Sequence, residues 1–193
     1  MLVTDLALVK RRDEPAANGE AEHRLIEAAK SDPQALAQLY RQHYEAISRH
    51  VVHRVGRIGV AEDLVADVFL AMVRYLPRYR VGATPFRAWL YRLATNRVNR
   101  WARWERRRTC RKLHDMPSAV QAGDPAQKAD HLRSALLTLP TAFQSVLSLH
   151  YLEEMSVREI AQVVGCAEGT VKSRLSRGRE LLRAILAESE GDS

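Results

Sequence analysis

Cysteine is nearly absent: Cys110 and Cys166 are the only two in 193 residues, and neither lies in a CxxC pair. A disulfide-stapled scaffold is thereby excluded, and two reduced thiols in a cytoplasmic protein are the simplest expectation. The seven histidines are scattered without the spacing a zinc site requires, so neither a metal nor a cofactor is expected. Glycine (9), proline (7) and aromatics (6%) are all scarce, which disfavours turn-rich sheet architectures and favours an all-α fold. No apolar run approaches the roughly 20 residues that span a bilayer. The opening MLVTDLALVKRR puts its charges after its apolar stretch, unlike a signal peptide, so neither export nor membrane insertion is expected. There is no GxxxxGK[ST] phosphate loop and no nucleophile–base pattern, so an enzyme is not expected either.

Positive charge is abundant instead. The formal net charge is +7, an excess that suits a polyanionic partner, because neutralising phosphates releases counterions. A merely basic globular protein would show the same total, so distribution decides. From Arg74 to Lys112 there are thirteen basic residues against one acid, Glu105.

Hydrophobic periodicity divides the chain into two small helical domains. Residues 1–21 lack sustained periodicity and read as a mobile arm or a short frayed helix. Asp32-Pro33 pairs an N-cap acceptor with a first-turn proline, and Leu36, Leu39, Ile47, Val51 and Val55 then mark one apolar face. After Gly56 to Gly59, AEDLVADVFLAMVRYL places Leu64, Val65, Val68, Phe69, Met72, Val73 and Leu76 on an apolar stripe, with Glu62, Asp63, Ala66, Asp67 and Arg74 outside. Thr84-Pro85 restarts a third helix, expected to run to about Arg108. It sets Phe86, Leu90, Leu93, Trp101 and Trp104 along one side. Arg92, Asn96, Arg100, Arg103 and Arg107, at steps of four, four, three and four, line a neighbouring side. Arginines around an amide can hold a nucleic-acid backbone while the amide reads a base edge. A solvated charged face is the plainer alternative.

Between residues 111 and 130 the pattern lapses into Pro117, Ser118, Gly123, Asp124 and Pro125, which reads as a flexible linker. Helical pattern returns over 131–186, ahead of a tail at 187–193. Ser156 and Glu159 form an S-x-x-E capping box that starts a short helix at Val157. Gly165 supplies the tight turn, and a second helix presents Val171, Leu175, Gly178 and Leu182 inward with Lys172, Ser173, Ser176, Arg177 and Arg179 outward. This is a helix-turn-helix, whose second helix reaches phosphates and base edges in the major groove. The hairpin alone leaves a stand-alone repressor equally open.

LPTAFQSVLSLHYLEEMSVREIAQVVGCAEGTVKSRLSRGRELLR resembles region 4 of the extracytoplasmic-function sigma factors of the sigma-70 family. AEDLVADVFLAMVRYL and TPFRAWLYRLATN resemble the polymerase-binding and −10-opening helices of region 2. The resemblance implies no catalysis and three binding surfaces. Lys172, Ser173, Ser176 and Arg177 would face the −35 element. Arg80, Arg92, Asn96, Arg100, Arg103 and Arg107 would face the −10 strand, with residues 78–84 shaping a pocket for a flipped base. Glu62, Asp63 and Asp67 would meet core RNA polymerase. The implied domains are region 2 over 22–110 and region 4 over 131–186, joined by the linker alone. An anti-sigma factor is an implied partner besides core polymerase and promoter DNA. The sequence departs from the family pattern at Ala66 (often Gln), Arg100 (often Asp or Asn), Ala167 (often a capping Ser) and Gly178 (usually Ala).

Overall fold

The structure is a computed structural model that describes residues 17–111 and 125–191. Its elements are α1 (Ala17–Ala28), α2 (Pro33–Val55), α3 (Ile58–Tyr75), a 3₁₀ turn (Leu76–Arg78), α4 (Phe86–Arg111), α5 (Pro125–Thr138), α6 (Thr141–Tyr151), α7 (Val157–Val164) and α8 (Glu168–Gly191). No strand occurs among the described residues, so the fold is all-α as expected.

Local chemistry fixes the helix ends. The Asp32 carboxylate accepts from the backbone N–H groups of Gln34 (2.9 Å) and Ala35 (3.3 Å), with Pro33 following as the first helical residue. These bonds satisfy two donors that the first turn leaves free. The capping box of α7 is complete: Ser156 Oγ accepts from Glu159 N at 3.2 Å, and Glu159 Oε2 accepts from Ser156 N at 2.9 Å. Gly165 closes α7 at φ 71°, in the left-handed region that side chains disfavour. Ala167 begins α8 with its carbonyl alone, which accepts from Thr170 N at 2.9 Å and Val171 N at 3.1 Å.

In the N-terminal unit, α2, α3 and α4 pack around Leu39, Ile47, Val51, Val68, Met72 and Leu90. In the C-terminal unit, α6, α7 and α8 pack around Val146, Leu149, Ile160, Val163 and Val171. Gly178 lies at the close crossing of α8 over α6, where a Cβ would come within 3.1 Å of Leu147 Cδ1 and 3.3 Å of Phe143 Cβ. A glycine at this inward position lets the two helices approach closely, and a Cβ there would require Leu147 and Phe143 to shift by a few tenths of an ångström.

Several expectations are corrected. Val73 is exposed and Ala71 is buried in its stead, so the stripe of α3 is displaced toward its Ala71 edge. Trp104 is 54% exposed although it is in helical phase with Phe86. The reason is length: α2 ends at Val55, and Arg57, just past it, pairs with Glu105, so α4 overruns the helix that would cover its apolar side. The element ends also extend. α1 takes residues 17–21 from the expected arm, and α8 runs through 187–191, where Ala-Glu-Ser-Glu continues a favourable helical composition. α5 starts at Pro125, inside the stretch expected as linker, with proline's fixed φ at the first helical position. Residues 1–16 and 112–124, and with them Lys112 and most of the expected linker, lie outside the described residues.

The expectation that only a linker joins the two units is also corrected. α7 lies against α4, α6 against α2 and α4, and α5 against α2. Gly56, at φ 74° just past α2, sits so close to α5 that a Cβ there would be 2.9 Å from Leu137 Cδ1.

Candidate nucleic-acid interface

α4 carries three kinds of basic residue, distinguished by what each touches. Arg92, Asn96, Arg100, Arg103 and Arg107 are all exposed along one outer face, and Arg80 is exposed in the loop that precedes the helix. The exposed guanidinium groups of these arginines can meet phosphates, and Asn96 adds an amide. Arg87 and Arg106 instead face the C-terminal unit, donating to the carbonyls of Glu153 and Leu139. Arg97 is half-buried; burial pulls its pKa below the ordinary guanidinium value, with Asp67 opposing that shift and Arg100 adding to it. Charge counting along the sequence cannot separate these classes, because all three arise from the same residue type on one helix.

The loop before α4 is held in shape by its own residues. The Tyr79 hydroxyl donates to the Thr84 carbonyl across the loop, and Gly82 takes φ 90° within it. The Tyr79 ring packs on Phe86 (5.5 Å between centroids) and Trp89 (5.0 Å), so an aromatic base holds the hairpin against the start of α4. Residues 78–84, which include Arg80, therefore form a built loop at the start of α4.

On α8, Lys172, Ser173, Ser176 and Arg177 are all exposed, as the helical spacing requires. Ser176 Oγ donates to Glu180 Oε1 at 3.2 Å, which sets an acid at the edge of this face. An open cleft of about 400 Å³ runs beside it, lined by Ala142, Phe143, Gly169, Thr170, Ser173, Arg174 and Arg177. Thr170 and Arg174 were not among the expected residues. Arg174 is held by a bond to Cys166 Sγ at 3.8 Å, across the turn between α7 and α8. The i, i+4 step from Thr170 to Arg174 was the signal that could have found them.

A third surface lies on α3 and α2. Glu62, Asp63 and Asp67 are exposed, as expected, at its acidic end. Next to them Leu70 (68% exposed), Val73, Tyr40 and Tyr44 form an apolar continuation, with both tyrosines stacked on Phe69 at 4.5 and 5.9 Å. Exposed large apolar residues gathered in this way mark a docking surface. Leu70 falls outside the apolar stripe of α3, and that out-of-phase position was the sequence signal for it. Among the described residues no cluster of His, Cys, Asp and Glu could hold a metal ion, and no helix is long and apolar enough to cross a membrane.

Comparison with known proteins gives two family matches: Sigma-70 region 2 over residues 39–108 and Sigma-70, region 4 over residues 130–182. Together they cover more than half of the chain. The ECF RNA polymerase sigma factor SigE of Mycolicibacterium smegmatis is 31% identical over 164 residues, 81% of this chain and 63% of that relative, so the chain spans under two thirds of its length. The structure of CnrH in complex with the cytosolic domain of CnrY is similar at a TM-score of 0.66 with 27% identity, covering 90% of this chain and 99% of the other. The sigma factor RpoE of Bartonella quintana, solved with the anti-sigma factor NepR, shares the fold at a TM-score of 0.63 with 23% identity, covering 79% and 96%.

Proposed function

We infer the function of this chain from one premise: it belongs to the sigma-70 family of RNA polymerase sigma factors, in the extracytoplasmic-function group. We propose that it serves core RNA polymerase as a promoter-specificity subunit in the cytoplasm and catalyses nothing itself. The observation that carries this reading is the separation of three exposed surfaces of different chemistry on one small all-α chain.

In this reading the acidic and apolar surface of Glu62, Asp63, Asp67 and Leu70 docks on core polymerase. The exposed face of α4 takes the −10 element. Arg92, Arg100, Arg103 and Arg107, with Arg80 from the loop, neutralise backbone phosphates, and Asn96 offers an amide to a base edge. The loop over 78–84 receives an unstacked base against its aromatic support, a mode suited to single strands. Lys172, Ser173, Ser176 and Arg177 take the −35 duplex in the major groove, where Arg177 at the cleft has the reach for a bidentate contact. Strand opening then draws on binding free energy rather than on hydrolysis. A protein inhibitor of the anti-sigma class, covering one or more of these surfaces, fits the same reading.

A stand-alone helix-turn-helix regulator would use the α8 face only. It leaves the α3 surface and the arginine face of α4 without purpose, and it does not need core polymerase. Run-off transcription from genomic fragments with reconstituted polymerase separates the two. The sigma reading expects the chain to co-purify with core and to direct defined transcripts. A chain that binds duplex DNA, ignores core and supports no transcript would establish the regulator instead.

A further inference from the structure

The arginine face of α4 carries a large ring at its far end. Trp104 stands four residues after Arg100, three before Arg107 and four before Arg108, spacings that make all three its neighbours on the helix surface. Its phase with Phe86 puts it at the border between the apolar side and the arginine face, past the point where α2 covers the helix. Trp104 is therefore 54% exposed, whereas Trp89 and Trp101 are half-buried against the core. Among the described residues Arg108 is the cation over its ring, with Cζ 5.2 Å from the centroid, and no aromatic side chain packs on it. Charge around the ring is of one sign. Arg100, Arg103, Arg107 and Arg108 are exposed, and the acid of this stretch, Glu105, is engaged by Arg57 at 3.1 Å. An apolar protein surface seated here would have to desolvate these guanidinium groups without repaying them. An unpaired nucleotide brings a flat ring for the indole and a phosphate for the arginines in one ligand.

We propose that Trp104 is a stacking platform for an unpaired base of the −10 strand, extending the contact of Asn96 and the loop over 78–84 to the far end of α4. This rests on the sigma reading above. A base within a duplex has both faces covered by its neighbours, whereas an unpaired base can turn one face to the indole. The ring thus favours the opened strand over the closed duplex and contributes to opening. Every base has a π-face, so Trp104 adds affinity at its position and little discrimination among bases. Asn96 and Trp104 are eight residues apart in the helix, about 12 Å along its axis at 1.5 Å per residue. At 3.4 Å per nucleotide, the stacked base lies roughly three or four nucleotides from the one Asn96 reads. Because the loop over 78–84 precedes α4, the two aromatic sites lie on opposite sides of Asn96.

An abasic scan tests the platform. Holoenzyme assembled from the full chain and core polymerase is titrated with single-stranded oligonucleotides carrying the −10 sequence of a promoter recovered by run-off transcription. Each oligonucleotide lacks one base and keeps its sugar and phosphate. Removing the base at one position, beyond the position sensitive to Asn96→Ala, should weaken binding to the parent by about fivefold to a hundredfold. Trp104→Ala should weaken the intact strand by a similar factor and make removal of that base silent. Trp104→Phe should restore most of both effects, because it returns a ring. Arg107→Ala, which removes a phosphate contact, should weaken intact and abasic strands by the same factor. Helicity by circular dichroism and association with core should match the parent in Trp104→Ala, since the exposed ring supports no core packing. An abasic profile of unchanged shape in Trp104→Ala would overturn the platform. So would a loss of core association, which would make Trp104 a polymerase contact. A parent that joins core and binds the strand no better than Trp104→Ala sinks the platform alone, whereas a parent that does neither sinks the sigma reading and the platform with it.

Discussion

Arg54 offers a sharp test of how charge is tolerated where the two units meet. It is 2% exposed, and among the described residues it makes one bond, to a neutral amide, while its Nε and Nη1 have no hydrogen-bond partner. Burial, aided by the nearby charge of Arg106, pulls its pKa down from 12.5 to about 10. At 1.36 kcal/mol per pKa unit, that shift corresponds to a cost of about 3 kcal/mol for keeping the group charged. The bond to Asn99 returns about 1.5–3 kcal/mol, the range for a bond involving a charged group. The two nearly cancel. Arg54→Met retains most of the volume and strands no opposite charge, and it leaves Asn99 Oδ1 3.3 Å from the Ser145 hydroxyl, whose shorter bond, 2.8 Å, goes to the Thr141 carbonyl. Its stability should lie within about 1 kcal/mol of the parent's, or above it. Arg54→Ala opens a cavity and should lose about 2–4 kcal/mol. Urea unfolding followed by circular dichroism, with unchanged m, measures both. A loss of 3 kcal/mol or more in Arg54→Met would refute the reasoning and show that Arg54 neutralises a buried anion.

Other expectations follow from the same geometry. Ala167→Ser should stabilise the C-terminal unit by about 1 kcal/mol by supplying the missing cap, read as a rise in urea midpoint. Arg177→Ala should weaken −35 duplex binding by about 1–3 kcal/mol in a titration, whereas Asn96→Ala should leave duplex binding intact and lower the yield of open complex. Acid should weaken the buried contact between the two units. Burial above all lowers the His50 pKa, and bonds from His50 and Tyr91 with the charge of Arg49 lower that of Glu153 against its own burial; Arg54 and His53 also face His50, while Arg87 lies against Tyr91. Both groups thus favour the packed contact above their ordinary values of 6.5 and 4.5. That contribution is lost as pH falls below about 6.5 for His50 and below about 4.5 for Glu153, detectable as a falling urea midpoint.

What the sequence revealed, and what it did not, follows the range of the interactions involved. The capping box at Ser156, the Asp32-Pro33 start, the glycine at 165 and the exposed stripes at Arg92 to Arg107 and Lys172 to Arg177 depend on neighbours within a turn, so periodicity and cap chemistry expose them. The family resemblance extended this to the three binding surfaces. Tyr91 meets Glu153 across 62 residues of chain and Arg54 meets Asn99 across 45, and His50 reaches Glu153 from another helix, pairings that no local pattern encodes. His50 looked like one of seven scattered histidines, and Glu153 like an ordinary charge in a turn. Trp104 misled for a similar reason: its phase on α4 is apolar, but the partner helix stops short of it. Gly178 could be placed on the inner face from spacing, whereas the tight approach of Leu147 to its Cα needed the packed structure.

The central claim is that this chain opens promoter DNA only as a subunit of polymerase. Permanganate reactivity of thymines in the −10 region measures that directly on a promoter recovered by run-off transcription. The account predicts reactive thymines when the chain and core polymerase are both present, and none with either alone. Reactivity with the chain alone, or protected thymines with both present, would contradict it.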